Sequence, residues 1–353
     1  MTMTESKAST TAPKGPTGFE RVRAVADRIG TENLALLVAL GILVMLIASQ
    51  TDRFFQPQNL LNIGQNMALV GVIAVGQTVV IVSRGLDISV GAMAGVTSVV
   101  AALTLANTGS VGLSVLAAIG GGIVLGCINA GVITKLRVNP VVATLATLSA
   151  FRGLAFLIAP GGRPIGVLDP DFRRIGAGRI LAFDGFPGIP ISLIIMAFIA
   201  IAAHIVMRYT VFGRNVYAMG GNPEAARLAG VHLDRMKLAI YAFSGAMAGI
   251  GGVILTARTS SGQPASGSEG LELEVITSVF LGGAIMAGGK GTIGGTILAV
   301  TLLATLSNGM NLLGMPTFYQ LVAKGMLLII AVAIGQWRMA RSERANAAAT
   351  AKG

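Results

Sequence analysis

Two similar hexamers, Gly85-Leu-Asp-Ile-Ser-Val90 and Gly270-Leu-Glu-Leu-Glu-Val275, each stand at the start of a long apolar segment. Counting apolar segments from the amino terminus puts the start of the first on the inner side of a membrane and the start of the second on the outer side. Similar segments of opposite orientation are typical of inverted repeats, in which two halves of the chain are related by an axis in the membrane plane. The pair predicts an inverted repeat of spans 2-5 and 7-10, with chance similarity as the alternative.

The composition of the chain is that of a polytopic membrane protein. Apolar residues make up 53% of the 353 residues, charged residues make up 12%, and the mean hydropathy is +0.76. These values lie outside the range of soluble domains. Because a helical span needs about 17 to 25 apolar residues, we predict an all-α fold of about ten transmembrane helices. The predicted spans are 34-50, 60-83, 88-107, 113-134, 140-159, 189-207, 236-257, 271-287, 292-311 and 318-336.

The basic residues predict the orientation of the chain. Most of the 26 Lys and Arg residues fall on the cytoplasmic side when both termini are placed there, as the positive-inside rule requires. Residues 1-33 then form a cytoplasmic polar tail, 34-337 the transmembrane domain with a cytoplasmic loop at 208-236, and 338-353 a basic cytoplasmic tail. Within the first tail, residues Phe19 to Ile29 form either an amphipathic surface helix or part of a disordered segment.

The 48 glycines predict close packing between helices. Several occur in small-x-x-x-small patterns, which let two helix backbones approach each other. Bending or hinging of helices is the alternative role for any one of them. The patterns are Gly91/Gly95, Gly122/Gly126, Gly245/Gly249 and Gly291/Gly295.

The acidic residues argue against coupling to an ion gradient. We expect all of them in tails, loops or span ends, whereas ion coupling usually needs carboxylates or an unwound site at mid-membrane. Asp87, Glu272 and Glu274 come nearest to the membrane. Each is interpreted as a helix-start charge that faces the positive end of the helix dipole, with a gating or substrate-facing role as the alternative.

The chain lacks the motifs of catalysis and of nucleotide binding. Met286 to Thr292 comes closest to a phosphate-binding P-loop, but Ala284 and Gly291 occupy the positions where that motif requires glycine and serine or threonine. The single cysteine, Cys127, and the two histidines are isolated, so we predict neither an enzyme nor a metal or cofactor site. The basic residues have no aromatic platform around them, which argues against a nucleic-acid partner.

A polar segment, Arg208 to Lys237, interrupts the apolar spans and contains a short predicted helix. Asparagine before proline is typical of a helix start, and glycine of a helix end. So short a helix cannot bury a core by itself, so we predict that it docks on another polypeptide; an ordinary surface helix is the alternative. Its residues are Asn222, Pro223, Glu224, Ala225, Ala226, Arg227, Leu228, Ala229 and Gly230.

Several stretches together resemble one known family. Gly220 to Val231, followed by Met236 to Gly249, is similar to the cytoplasmic loop and next span of ribose-type ABC importer permeases. Gly85 to Gly95, Val138 to Leu154 and Leu281 to Asn311 resemble further parts of the same permeases, in the same order. The resemblance covers almost all of the predicted transmembrane domain.

The resemblance implies a permease subunit in the bacterial inner membrane, bound by lipid. Its implied partners are a second permease subunit, identical or closely related, a cytoplasmic ATP-binding protein that holds ATP and Mg, and an external solute-binding protein. The implied cargo is a monosaccharide or similar small polar solute, with autoinducer-2, a polyol, a nucleoside or a branched-chain amino acid as alternatives. The short helix would seat on the ATPase through Ala225, Ala226, Leu228 and Ala229, with Glu224 and Arg227 at the rim.

A pathway for neutral sugars needs amides and hydroxyls as donors and acceptors. The amides within or at the ends of predicted spans are Gln65, Asn66, Gln77, Asn129, Asn308 and Asn311. Hydrogen bonding between helices is the alternative role for each. Arg152, a charge inside a predicted span, either acts as a gate or extends to the membrane interface.

Two classes of protein compete with an ABC importer permease. An ion-coupled secondary transporter would work without an ATPase subunit. A non-transporting receptor or scaffold is disfavoured by the repeated hexamer and by the glycine patterns.

Overall fold

The fold is a helical bundle with two small β-pairs, as seen in a computed structural model that describes residues 31-184 and 186-350. The helices are α1 (Thr31–Ala48), α2 (Pro57–Val82), α3 (Val90–Thr108), α4 (Val111–Thr134), α5 (Pro140–Ile158), α6 (Pro170–Ala177), α7 (Ile191–Tyr209), α8 (Val211–Gly221), α9 (Pro223–Leu228), α10 (Leu233–Thr259), α11 (Leu271–Leu281), α12 (Ile293–Leu312) and α13 (Thr317–Thr350). The antiparallel strand pairs are β1 (Ile165–Gly166) with β4 (Ser261–Gly262) and β2 (Arg179–Ile180) with β3 (Ile189–Pro190).

The described residues confirm an all-α polytopic membrane protein. Eight of the described helices are long and apolar enough to cross a membrane: α2 to α5, α7, α10, α12 and the Thr317–Trp337 part of α13. The apolar part of α1, Asn33–Ala48, is shorter. α13 continues to Thr350, past the boundary predicted at residue 337. The surface helix predicted at Phe19 to Ile29 lies outside the described residues.

One predicted span is wrong in length. The segment 271-287 contains only the 11-residue helix α11, which rises about 16 Å, about half the thickness of a hydrocarbon core. The chain leaves the helix at Gly282 and takes left-handed φ angles at Gly283, Gly288 and Gly289. Because apolar residues continue to Met286, the composition of the segment does not show that the helix ends at Leu281.

The bundle has two ends, which the distribution of basic residues assigns to opposite membrane faces. At the predicted outer end, β1 pairs with β4, so the loop after α5 lies beside the last residues of α10. At the predicted inner end, the amide of Gly289 donates to the carbonyl of Val82 at 2.8 Å. α8 and α9 lie at this inner end too, because a Cβ atom added at Gly220 would overlap the carbonyl oxygen of Val82.

The helices divide into a buried centre and a more exposed periphery. At least 61% of the residues in the apolar windows of α2, α3, α10 and α12 are buried inside the chain, compared with at most 28% in α4, α5, α7 and α13. The exposed side chains are largely apolar, as expected for surfaces that face lipid or another subunit. The centre therefore holds the side chains whose burial depends on this chain alone.

α4 and α10 pack so closely that their glycines leave no room for a side chain. A Cβ atom added to Gly122 would overlap the carbonyl oxygen of Gly245, and one added to Gly245 would overlap that of Gly122. A Cβ atom added to Gly126 would overlap the carbonyl oxygen of Tyr241, and one added to Gly249 would lie 2.8 Å from that of Ala118. The close packing predicted from the glycine patterns is confirmed at this helix pair.

This packing predicts that Gly122→Leu destabilises the protein. The added side chain would have to displace the backbone of α10, which costs about 1–3 kcal/mol or more. We expect a lower midpoint of thermal unfolding for the purified protein in detergent.

Gly121→Leu is the matched control, because a Cβ atom at Gly121 meets open space. Equal unfolding midpoints for the two variants would contradict the close contact between α4 and α10.

Candidate functional site

A buried carboxylate, Asp87, forms the centre of a polar network just before α3. Its side chain is fully buried, and Oδ1 accepts hydrogen bonds from the backbone amide of Ser89 at 3.0 Å and from the Ser89 hydroxyl at 2.6 Å. The amide of Asn129 on α4 donates to Ser89 Oγ at 2.8 Å and to Asp87 Oδ1 at 3.4 Å. Ser244 on α10 donates to Oδ2 at 3.4 Å. The Asp87 carboxylate thus connects the start of α3 to α4 and α10.

The backbone of the loop that carries Asp87 is also held by side chains. Tyr241 and Thr144 both donate to the carbonyl of Leu86, at 3.2 and 3.3 Å. The amide of Gln77, in the orientation that satisfies both groups, pairs with the backbone N–H and C=O of Asp87 at 3.3 and 3.2 Å. Non-helical backbone inside an apolar bundle needs such partners, so Gln77 here secures the loop.

The Asp87 network lies inside the inner half of the bundle. Gln77 and Asn129 are each five residues, or about 8 Å, from the inner ends of α2 and α4, and Ser244 is 11 residues, or about 17 Å, along α10 from Leu233. α3 therefore begins inside the bundle and runs to the predicted outer end. Asp87 lies in the loop before α3, at the start of a span as the sequence predicts, but the chain after α2 turns back into the bundle, so the carboxylate is fully buried.

The start of α11 meets the start of α3 at the same depth. The residues before α11 lie along α3, from its outer end toward its start. For example, the backbone amide of Gln263 donates to Ser98 Oγ at 2.9 Å. A Cβ atom at Gly95 would lie 2.8 Å from the carbonyl oxygen of Pro264, and one at Gly91 would overlap the carboxylate of Glu272. Glu272 is therefore also inside the bundle, in the first turn of α11.

Charged pairs connect the first turn of α11 to two peripheral helices. Lys324 on α13 donates to Glu274 at 2.8 Å. Arg152 on α5 lies 3.2 Å from Glu269 and 3.8 Å from Glu272. Arg152 therefore forms ion pairs inside the bundle, which argues against extension of its side chain to the membrane interface. Glu269, Glu272 and Glu274, the three acids that Arg152 and Lys324 contact, all lie at the start of α11.

Four of the predicted pathway amides lie away from this centre. Asn66 accepts a hydrogen bond from Arg258, and Gln65 is half-buried next to it on α2. Asn308 donates to Asn59 at 2.8 Å, and Asn311 accepts from Gln320 at 2.7 Å. Of the six predicted pathway amides, the structure thus brings only Gln77 and Asn129 together at Asp87. Asn66, Asn308 and Asn311 form hydrogen bonds between helices.

The predicted docking helix is present as α9, with its cap as expected. Asn222 Oδ1 accepts a hydrogen bond from the amide of Ala225 at 3.0 Å, and Gly230 takes a φ of +88°. Pro223 stands at the first helical position, and Glu224, Arg227 and Ala229 are exposed. One expectation is wrong: Ala226 is buried within the chain because it packs on the core beneath α9.

α8 packs on the two loops that end at the predicted inner end of the bundle. Gly220 meets the carbonyl of Val82 and the amide of Gly289, and the Tyr217 hydroxyl donates to the carbonyl of Gly291 at 2.8 Å. Burial raises the pKa of Tyr217, although the charge of Arg208 opposes the shift. The close approach of Val82, Gly220 and Gly289, hereafter the backbone junction, joins α8 to both loops.

Four of the residues that bond to Asp87 or to the loop that carries it are hydroxyl-bearing residues that the sequence did not single out. Ser89, Ser244, Thr144 and Tyr241 complete the Asp87 network, and Thr147 donates to Asn129 Oδ1 at 2.7 Å. Serine and threonine are frequent in membrane helices, where they also bond to their own backbone, so only proximity to Asp87 distinguishes them.

Comparisons with known proteins identify permease components as relatives of this chain. The profile of the family described as branched-chain amino acid transport system / permease component matches residues 59-332. The ribose import permease protein RbsC of Bacillus subtilis is 39% identical over 311 residues, 88% of this chain and 94% of that protein. RbsC of Escherichia coli K12 is 35% identical, over 84% of this chain and 92% of that protein. The L-arabinose transport system permease protein AraH of E. coli K12 is 33% identical, over 94% and 97%.

No solved structure matches the chain significantly. The relatives therefore bear on the family and on the cargo, while the geometry rests on the structure described above.

The Asp87 network predicts that Asn129→Leu destabilises the protein. The substitution removes donors or acceptors from Ser89, Asp87 and Thr147, and each buried group left without a partner costs about 1–3 kcal/mol. We expect a lower thermal unfolding midpoint in detergent.

Asn62→Leu serves as the control, because Asn62 is an exposed amide on α2. An unfolding midpoint of Asn129→Leu equal to that of the control would show that the network does not stabilise the fold.

Proposed function

The chain belongs to the permease components of the branched-chain amino acid transport system family, among the sugar ABC importers, and from this premise we propose that it moves a monosaccharide into the cytoplasm at the expense of ATP hydrolysed by a partner subunit. The curated relatives are named for ribose and L-arabinose. Both sugars are neutral pentoses, so we propose a pentose as the cargo. We place the chain in the bacterial inner membrane with both termini in the cytoplasm.

The observation that carries the ATP-driven mechanism is the contact of the 211-230 segment with the bundle. Leu228 projects from α9 with 87% of its surface exposed, unlike the buried Ala226. Next to it, a cavity of about 530 Å³ opens between α9 and α10. It is lined by Arg227, Gly230, Val231, His232, Leu233, Asp234 and Arg235. An exposed apolar anchor beside a groove is what a cytoplasmic ATPase, holding ATP and Mg, would need for docking.

We propose that the backbone junction connects this docking surface to the Asp87 network and to α11. Movement of α8 would displace Val82, where α2 ends, and Gly289, in the loop between α11 and α12. The chain after Val82 leads to Asp87 and to the start of α3. The loop that carries Gly289 follows directly from α11, whose first turn carries Glu272 and Glu274. Nucleotide-driven closure would thus reach the starts of both helices.

The same two helices support the inverted repeat as part of this proposal. α3 begins at the last residue of the first hexamer and α11 at the second residue of the second; the two helices start side by side inside the bundle and run to opposite ends. An inverted pair of discontinuous helices is typical of transporters. The importer would also require a second permease subunit and an external solute-binding protein, and we expect α5 and α13, which bury few residues within the chain, to face such a subunit or lipid.

We expect the purified chain to import sugar into proteoliposomes only with its ATP-binding subunit, its solute-binding protein and ATP. Leu228→Asp should abolish this uptake and lower the affinity for the ATP-binding subunit about tenfold or more, since a charge replaces an apolar anchor. Co-purification and radiolabelled sugar uptake measure the two effects.

Leu168→Asp is the control, because Leu168 is also 87% exposed but lies in the loop after α5 at the predicted outer end. It should retain the ATP-binding subunit. Uptake by the chain alone under an ion gradient would support a secondary transporter instead and contradict the proposal.

A further inference from the structure

Lys324 and Glu274 form a largely buried ion pair between two apolar helices. Lys324 Nζ donates to Glu274 Oε2 at 2.8 Å, and the two side chains are only 22% and 19% exposed. Lys324 is seven residues, or about 10 Å, along α13 from Thr317, at the predicted outer end of that helix. The pair therefore lies within the span, where charged groups are costly and are typical of functional positions.

Packing alone does not account for the Lys324–Glu274 pair. Taking two charges out of water costs about as much as their attraction returns, and apolar residues in the same places often give an equally stable protein. Apolar contact already joins the two helices, because Leu328 and Val332 on α13 pack against the core that includes Phe280 on α11. What the ion pair adds is position, since it fixes which turn of α13 lies beside the first turn of α11.

α13 depends on α11 for its place in the bundle. Only 12% of the residues in its apolar window are buried inside the chain, and its described contacts are mostly with α11. A second polar contact, from Gln320 to Asn311 at 2.7 Å, joins α13 to α12 one turn closer to the outer end. Of these two polar contacts, only the ion pair reaches α11.

α11 is the helix that the backbone junction would move. Its last residue, Leu281, is followed by Gly282, where an added Cβ atom would lie 2.6 Å from the backbone of Gly295 on α12. The same loop continues to Gly289 at the junction. A displacement of Gly289 would therefore act on the inner end of α11, and its first turn would pass the movement to α13 through Glu274.

We propose that Lys324 is a positioning residue for transport, which ties α13 to α11 through Glu274 so that both helices move as one unit when the ATP-binding subunit closes. The inference rests on the proposed function, in which α13 faces a second permease subunit or lipid. The pair would thus extend the movement from the centre of the bundle to its periphery. Without it, apolar contacts alone would let α13 slide along α11, and ATP would be hydrolysed with less movement of sugar.

The test compares Lys324→Met with Gln320→Met, two substitutions one turn apart on α13. The first removes the ion pair to α11, and the second removes the hydrogen bond to α12. Each variant is reconstituted in proteoliposomes as the full complex with the ATP-binding subunit and the solute-binding protein. Sugar uptake and ATP hydrolysis are measured on the same vesicles, which gives the amount of sugar imported per ATP hydrolysed.

We expect Lys324→Met to lower this ratio about fivefold or more, at the smaller end of typical coupling between distant sites. Lys324→Arg, which keeps the charge and the donors, should retain the ratio, and so should Gln320→Met. A purely structural role would lower uptake and hydrolysis together. An unchanged ratio in Lys324→Met, or an equal loss in Gln320→Met, would therefore overturn the inference.

Glu274→Gln provides a second variant if Lys324→Met does not assemble into the complex. It removes the charge from the other partner at nearly the same side-chain size, so the ratio should fall again. A ratio equal to that of the wild type would count against the inference in the same way. Failure of the wild-type complex to import sugar with ATP would instead contradict the proposed function itself.

Discussion

The need to satisfy non-helical backbone inside an apolar bundle controls the rest of this structure. After α2 the chain turns back among the helices, where water is not available to its peptide groups. Gln77, Thr144 and Tyr241 bond to the backbone of Leu86 and Asp87, while the Asp87 carboxylate binds Asn129 and Ser244. Because this loop is fixed inside the bundle, α3 starts there, and Glu272 in the first turn of α11 packs against Gly91.

Glycine makes the second part of the architecture possible. Direct contact between the backbones of α4 and α10 brings Asn129 and Ser244 to the same carboxylate. At the inner end, Gly220 and Gly289 allow α8 to lie against both loops. A side chain at any of these positions would separate elements that the proposed mechanism requires to move together.

The sequence predicted the fold class well because hydropathy and glycine spacing are local signals. It also predicted the cap of α9, since an asparagine before proline is readable without tertiary contacts. It did not predict that α11 ends at Leu281, that Ala226 is buried, or that Asp87 and Glu272 lie inside the bundle. Each of these depends on which residues meet across the bundle, and apolar composition is the same on both sides of a helix end. The inverted repeat itself stays a prediction.

The central claim is that the nucleotide state of the ATPase reaches the Asp87 network through the backbone junction. The most direct test places a single cysteine at Ser244, which is 1% exposed, in a chain whose only cysteine, Cys127, has been replaced by alanine. The rate of labelling by a small water-soluble thiol reagent is measured in the full complex, without nucleotide and with a non-hydrolysable ATP analogue. The account predicts a different rate in the two states. Equal rates in a complex that still hydrolyses ATP would contradict it.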